Sequence, residues 1–157
     1  MNLVIRNMTD ADVPAVHEID TLSFSLPWPE RSFRFEVKDN PISRPWVAEA
    51  DSRIVGMLVI WLVQDEAHIA TIATHPDFRR QGIAERLLLK ALAAAYAESA
   101  RRAFLEVRSG NTAAQAMYFK YGFVVDGRRP RYYKDNNEDA ILMSVDLSNF
   151  EFPTNGL

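Results

Sequence analysis

Apolar positions along the chain alternate with a period of two in some stretches and recur near every 3.6 residues in others, and the switches mark out a series of strands and helices. Asn2 to Arg6 alternates and predicts a first strand. Thr9 stands where a helix N-cap belongs, with Asp10 and Asp12 in the first turn and Val13, Val16, Ile19 and Leu22 as the buried face. Pro27-Trp28-Pro29 interrupts the chain, and Pro29 suits the first position of a second helix carrying Phe33 and Val37. After a loop over Asp39 to Pro45, the runs Trp46 to Glu49, Ile54 to Val63 and Ala67 to Thr74 read as an antiparallel meander, with turns at Asp51-Ser52 and Gln64-Asp65-Glu66. A periodic helix follows from Gln81 to Ser99, with Ile83, Leu87, Leu88, Ala91, Leu92 and Ala95 on one face. Ala103 to Arg108 is a further strand, and Thr112 to Tyr121 a short helix ended by Gly122. Phe123 to Asp126 and Ala140 to Val145 are the last strands, joined by a long polar connection. Ser148 to Leu157 lacks a pattern and reads as a tail.

The order β-α-α-β-β-β-α-β-α-β-β predicts one α/β domain over residues 1–147, a mixed, largely antiparallel sheet of about seven strands flanked by about four helices. A length of 157 residues suits a single core, and 48% hydrophobic with 25% charged residues is ordinary for a globular chain. The net charge of −3 gives no basic field for nucleic acid. The chain has no cysteine, which removes disulfides, a thiolate nucleophile and cysteine-ligated metals. His17, His68 and His75 are not paired at ligand spacing, so no metal is expected. Met1 to Met8 lacks a signal pattern and no run approaches membrane-spanning length, so the expectation is a cytoplasmic protein that binds no membrane.

Ligands of open α/β sheets gather where strands diverge beyond their carboxyl ends. Here that point lies between the strand ending at Thr74 and the strand ending near Arg108, and Arg79-Arg80-Gln81-Gly82-Ile83-Ala84 follows the first of them. The first N–H groups of a helix have no intrahelical partner and the dipole there is positive, so two arginines and a glycine at a helix start read as an anion cradle. The same hexapeptide also reads as a solvated basic helix start. No Gly-Lys-Ser/Thr follows the glycine, which disfavours a nucleotide-hydrolysing P-loop.

Six motifs in order then give the chain a resemblance to the GNAT superfamily of acyl-CoA-dependent N-acetyltransferases, and within it to the RimI type, the ribosomal-protein alanine N-acetyltransferases. The pattern Gln/Arg-x-x-Gly-x-Gly/Ala is present as Arg79, Gly82 and Ala84. The others are Phe24-Ser25-Leu26-Pro27-Trp28, Ile72-Ala73-Thr74-His75-Pro76-Asp77, Leu105-Glu106-Val107-Arg108, Asn111 through Tyr118 to Phe123, and Tyr132-Tyr133 followed by Glu138 to Met143. Together they cover roughly residues 2–147. Ala84 replaces the usual second glycine, Thr74 stands where valine is common, Gly110 precedes Asn111 where serine or alanine is frequent, and Arg131 to Glu138 carries an unusual Lys134-Asp135-Asn136-Asn137 segment that bears on substrate choice.

The resemblance implies a GNAT fold whose splayed strand pair forms an acyl-CoA cleft, with acetyl-CoA as co-substrate. Arg79, Arg80, Gln81, Gly82, Ile83 and Ala84 would grip its pyrophosphate, and Ile72, Ala73 and Thr74 would flank its pantetheine arm, with backbone groups of Ile72 and Thr74 polarising the thioester carbonyl. Asn111 would touch the same arm or simply cap the helix that starts at Thr112. Glu106 is implied as general base, acting through water and tuned by partial burial among Phe104, Leu105 and Val107; the bland alternative is an ion pair with an arginine such as Arg108. Tyr118 is implied as general acid for the leaving thiolate, against the alternative of a core aromatic beside Phe119 and Phe123. Trp28, Arg131, Tyr132 and Tyr133 would line the acceptor groove, although Trp28 and Tyr132 also read as packing residues. Neutralising an α-amine at pH 7 costs roughly 1 kcal/mol and a lysine about 4.6, which favours an N-terminal acceptor. The expected activity is therefore transfer of acetyl from acetyl-CoA to a protein N-terminal amine, with the alanine of a ribosomal protein as favoured acceptor, by direct attack in a ternary complex. A small-amine acetyltransferase for polyamines or antibiotics, and a non-catalytic acyl-CoA sensor, are the alternatives.

Overall fold

The computed structural model describes residues 1–153. The strands are β1 (Leu3–Asn7), β2 (Ser43–Ala50), β3 (Arg53–Val63), β4 (Glu66–Thr74), β5 (Arg102–Arg108), β6 (Val124–Tyr133) and β7 (Glu138–Asp146). The helices are α1 (Val13–Ser23), α2 (Glu30–Lys38), α3 (Ile83–Ala97) and α4 (Thr112–Lys120). All seven strands form one sheet in the order β1-β2-β3-β4-β5-β7-β6, and every pair is antiparallel except β4 with β5. This is the predicted mixed sheet, and α3 supplies the crossover that a parallel pair requires.

Two apolar layers cover the sheet. α1 and α2 bring Val13, Val16, Ile19 and Phe33 onto Val47, Met57, Val59 and Ala73. α3 lays Ile83, Leu87, Leu88 and Leu92 over Ala48, Leu58, Ile60, Leu105, Val107 and Met143 on the opposite face. Gly56 lets α3 close down: a Cβ there would stand 2.9 Å from Ile83 and 3.0 Å from Leu87. At the start of α1, Asp12 accepts the Thr9 N–H (2.8 Å) and both Arg6 guanidinium nitrogens (2.7 and 2.9 Å), which ties β1 to the helix entry.

Four features depart from expectation by more than a residue or two at an element's end. Leu22 is 51% exposed, and Asp20 takes a buried place on α1 because its carboxylate accepts the Trp28 N–H (2.7 Å) at the following chain break. β2 begins at Ser43, inside the expected loop, and Pro45 joins the ladder without needing an N–H because its carbonyl accepts from Met8. β6 runs through most of the expected polar connection to Tyr133, as an edge strand exposed along most of its length. The expected tail packs in part: Phe150 stacks on Tyr121 and Phe152 meets Tyr96 (5.4 Å between ring centroids). The last four residues of that tail, 154–157, lie outside the described residues.

Candidate active site

The sheet opens at the parallel seam between β4 and β5. β4 and β5 pair over Glu66–Arg102, Ala67–Ala103 and His68–Phe104, and no further. A register shift in β4 between the partners of Val59 and Ile60 puts an extra residue, Ala70, just past the seam, and such a bulge bends a strand away from its neighbour. The His75 N–H bonds to Val55 of β3, which fixes the alternation: His75 and Ala73 point their backbone groups at β3, while Ile72 and Thr74 point theirs into the gap. Of the three expected donor contacts on this strand, Ala73 is thus turned away, its side chain packed under α1. Ile72 and Thr74 present an unpaired strand edge.

At the open end of the gap the chain passes Arg79 and Arg80, both exposed, into α3. Arg80 (φ 63°) and Gly82 (φ 76°) are left-handed on either side of Gln81, an alternation that turns successive N–H groups to one side, as in anion-binding nests. Nothing crowds a Cβ at Gly82, so the backbone angle alone calls for glycine. The first α3 bond runs from Arg86 to the Gly82 carbonyl, and the N–H groups ahead of it, at Ile83 and Ala84 among others, have no intrahelical partner. Glu85 in this turn would repel an anion, but Lys120 pairs with it (2.8 Å) and the Tyr121 hydroxyl donates to it. Arg79 folds back onto the Thr74 carbonyl (3.3 Å) and the Ser23 hydroxyl (3.5 Å).

Strand alternation decides the surroundings of Glu106. Leu105 and Val107 face α3, whereas Glu106 points to the other face with Phe104, which stacks on His68 (5.1 Å) and lies in line with Trp61 of β3 through the register Trp61–His68–Phe104. Glu106 is therefore not buried among its sequence neighbours; its side chain is 34% exposed on the side where α1 and α2 lie. Its arginine is Arg129 (3.8 Å), two strands away on β6, and not Arg108. Arg129 also lies over the Tyr132 ring.

Tyr118 on α4 is 3% exposed, 5.4 Å from Phe123 between ring centroids. Burial pushes its phenol well above the usual range, with a smaller contribution from Tyr133. Burial likewise raises Tyr133, and Glu106 adds to it, so Tyr133 acts on Tyr118 and is itself acted on by Glu106. The strand irregularity that brings Tyr133 there is a bulge between Arg129 and Tyr133, where Arg131 is left-handed (φ 52°) and gives its N–H to Asp139 (2.9 Å). Arg131 thus contributes backbone geometry. Asn111 caps α4 by accepting the Ala114 N–H (3.2 Å). Trp28 stacks with Trp61 (6.5 Å, 11°), meets Phe33 at a tilt (5.2 Å, 34°), and lines an open cavity of about 630 Å³ beside Phe35 and Ile42.

Sequence reasoning missed a second cluster at the end of β5. Arg108 pairs with Asp135 (3.0 Å) and Glu138 (3.4 Å), reaches Asn136 (3.3 Å), and lies 3.9 Å over the Tyr133 ring. Glu138 accepts the Gly110 N–H, and a Cβ at residue 110 would sit 2.5 Å from its carboxylate oxygen, so a larger residue there would have to displace that flexible side chain. Asp135 also accepts from Ser25 of the α1–α2 segment.

Residues 13–123 match the model of the acetyltransferase (GNAT) family, whose members use acetyl-CoA. A Bacillus subtilis protein provisionally named a ribosomal protein bS18-alanine N-acetyltransferase is 40% identical over 92% of this chain and 95% of its own length. The Escherichia coli ribosomal protein bS18-alanine N-acetyltransferase is 30% identical over 92% of this chain and 97% of its own length. The crystal structure of the E. coli ribosomal-protein-S18-alanine N-acetyltransferase superposes with a TM-score of 0.87 at 28% identity, covering 99% of both chains. With a splayed seam, a cradle at the start of α3 and this kinship over nearly its whole length, the chain belongs to the GNAT family of acetyltransferases, with RimI-type enzymes among its relatives.

Proposed function

We propose that the protein transfers acetyl from acetyl-CoA to the N-terminal α-amine of a protein, with the N-terminal alanine of a ribosomal protein as favoured acceptor. The observation that supports this reading is the unpaired Ile72–Thr74 edge at the place where β4 and β5 part, with Glu106 open-faced on β5 and Tyr133 bearing on both Glu106 and Tyr118. The names of the two bS18-alanine N-acetyltransferase relatives point to the acceptor.

Acetyl-CoA supplies an acetyl thioester. The backbone N–H groups of Ile72 and Thr74 would pair with its arm as an added strand and polarise the thioester carbonyl, while Arg79, Arg80 and the turn Gln81–Ala84 would hold the pyrophosphate. Glu106 takes one proton from the incoming ammonium through water, leaving a neutral amine whose lone pair forms the new C–N bond. An α-amine gives up that proton at roughly 1 kcal/mol at pH 7, within reach of an exposed carboxylate. As the C–S bond breaks, Tyr118 donates its phenolic proton to the departing sulfur, and the second proton shed by the new amide nitrogen returns through water to the phenolate, which restores the phenol. Burial keeps the phenol protonated, so it holds a proton to give when the sulfur departs. The chain holds no cysteine to carry an acetyl group, which leaves direct attack in a ternary complex. Tyr132 and Tyr133 wall the first residue of the acceptor, Arg131 sets the strand bulge that presents them, and Trp28 lines the flank. Asn111 holds the start of α4 beside the donor.

Among the described residues no helix is long and apolar enough to cross a membrane. We place the enzyme in the cytoplasm, where nascent ribosomal proteins are its substrates. The test is incubation with acetyl-CoA and a library of N-terminal hexapeptides alongside polyamines, read by mass. Acetylation of peptide α-amines, strongest after alanine, is expected; acetylation confined to polyamines would sink the proposal.

A further inference from the structure

Resting on the N-terminal acceptor reading above, we propose that the contact between Ser25 and Asp135 is a latch that selects which acceptors reach Glu106, with Arg108 as its positioning residue. The argument starts from topology. The α1–α2 segment belongs to the β4 side of the gap: α1 packs on β3 and β4, and Arg79 links its last residue, Ser23, to the Thr74 carbonyl at the end of β4. The β6–β7 turn belongs to the β5 side, because Arg108 at the end of β5 binds Asp135, Asn136 and Glu138 and covers the Tyr133 ring. β4 and β5 themselves part after His68 and Phe104. The hydrogen bond from Ser25 to Asp135 therefore joins two arms that the sheet leaves separate, and it does so on the face that carries Glu106, opposite α3.

The two ends of this bridge are held unequally. On one side Asp135 is gripped by Arg108, Glu138 is seated on the Gly110 N–H, and Asn137 bonds back to the Tyr133 carbonyl (2.8 Å), so the turn is a stiff arm. On the other side Ser25 is an exposed residue in a segment between helices, and its hydroxyl is the single polar group it sends across. An arrangement with one stiff arm and one light contact opens at the contact. Closed, it obliges an acceptor to enter end-on past Tyr132 and Tyr133, which favours a slender first residue; opened, it admits a bulkier one.

Ser25→Ala removes the latch and leaves the Arg108 grip; Asp135→Ala removes both. One readout is kcat/KM for two hexapeptides that differ only in their first residue, alanine or phenylalanine. The alanine preference of the unmodified enzyme is expected to narrow about fivefold in Ser25→Ala, the scale of one exposed hydrogen bond, and further in Asp135→Ala. The second readout is backbone hydrogen exchange in the free protein, where Ser25→Ala is expected to speed exchange at Asn136 and Asn137 without changing the β5–β7 ladder. An unchanged preference, with or without faster exchange, refutes the selective role, since a purely structural contact would alter exchange or stability and scale both peptides alike. If the unmodified protein acetylates neither peptide, the acceptor reading fails; exchange then decides alone, and an unchanged rate at Asn136 and Asn137 overturns the latch.

Discussion

Tyr118→Phe separates the catalytic reading of this residue from the packing reading, because the two demand opposite outcomes. The substitution deletes one oxygen and keeps the ring, which is 3% exposed and packed on Phe123 at 5.4 Å. Among the described residues no hydrogen bond to the hydroxyl is found, and it is not one of the fully buried, unpartnered side-chain atoms, which are Trp46 Nε1 and Arg86 Nε, so the folded protein gives up no internal bond when it goes. Burying a hydroxyl without a partner costs roughly 1–3 kcal/mol, part of which a solvent contact at the gap recovers. The variant is therefore expected to be as stable as the parent or up to about 1 kcal/mol more stable, which for a chain of this size is a rise in Tm of about 2–4 °C. Catalysis should move the other way. Losing the proton donor for the leaving sulfur is worth about 10²–10³ in kcat, or roughly 2.7–4 kcal/mol of transition-state stabilisation. Thermal melting and continuous release of free coenzyme A thiol measure the two quantities on the same sample. A kcat within threefold of the parent, or a loss of stability large enough to account for the loss of activity, would refute the general-acid assignment.

Gly56→Ala pushes a Cβ to 2.9 Å from Ile83 and 3.0 Å from Leu87, so α3 must move or the side chains must leave their rotamers; about 1–3 kcal/mol is expected to be lost in urea unfolding, together with weaker acetyl-CoA binding because the cradle rides on α3. Asp12→Asn removes the carboxylate that Arg6 holds below the usual range, and should cost about 2–3 kcal/mol at pH 7. Since that group is depressed in the folded state, its contribution is complete above the ordinary carboxylate value and fades as pH falls through the lower folded one, so the gap between parent and variant should close below about pH 3.9 in pH-dependent melts. Phe152→Ala should lower stability by about 1–2 kcal/mol in thermal melts by stripping Tyr96 and Phe150 of their partner, and no change would mean that the terminal segment is merely appended.

Legibility followed local signal. The order of strands and helices, and the break before the helix that starts after Gly82, were readable because each lies within one stretch of chain and has its own period or cap. The part of β6 beyond Asp126 was not, since an edge strand exposed along both faces has no apolar alternation to show, and Gly127 and Pro130 punctuate it like a loop. Asp20 defeated the helical pattern for a different reason: it is buried to hold the Trp28 N–H, a demand set by the next turn and invisible in the period of α1. The candidate site divided in the same way. Glu106 and Tyr118 could be named from motif positions, but the open side on which Glu106 stands follows from alternation once its strand neighbours are known. Its partner Arg129, and the grip of Arg108 on Asp135 and Glu138, depend on the β5–β7–β6 register, which brings together residues 20 to 30 positions apart that no spacing rule connects.

The unpaired edge at Ile72 and Thr74 has a bearing on aggregation. Exposed strand edges are templates for pairing with other chains, and proteins ordinarily shorten, charge or kink them. The two outer edges here conform: β1 has five residues, and β6 carries arginines, Pro130 and a bulge. The third edge is neither charged nor kinked over Ile72–Thr74, yet it lies inside the sheet, on the side of β4 that pairs with β5, and not at an outer border. Its place between two strands, and not its sequence, protects it. Substitutions that widen the gap are thus a liability to solubility as well as to activity, and the apolar Ile72-Ala73 stretch is where self-association would begin.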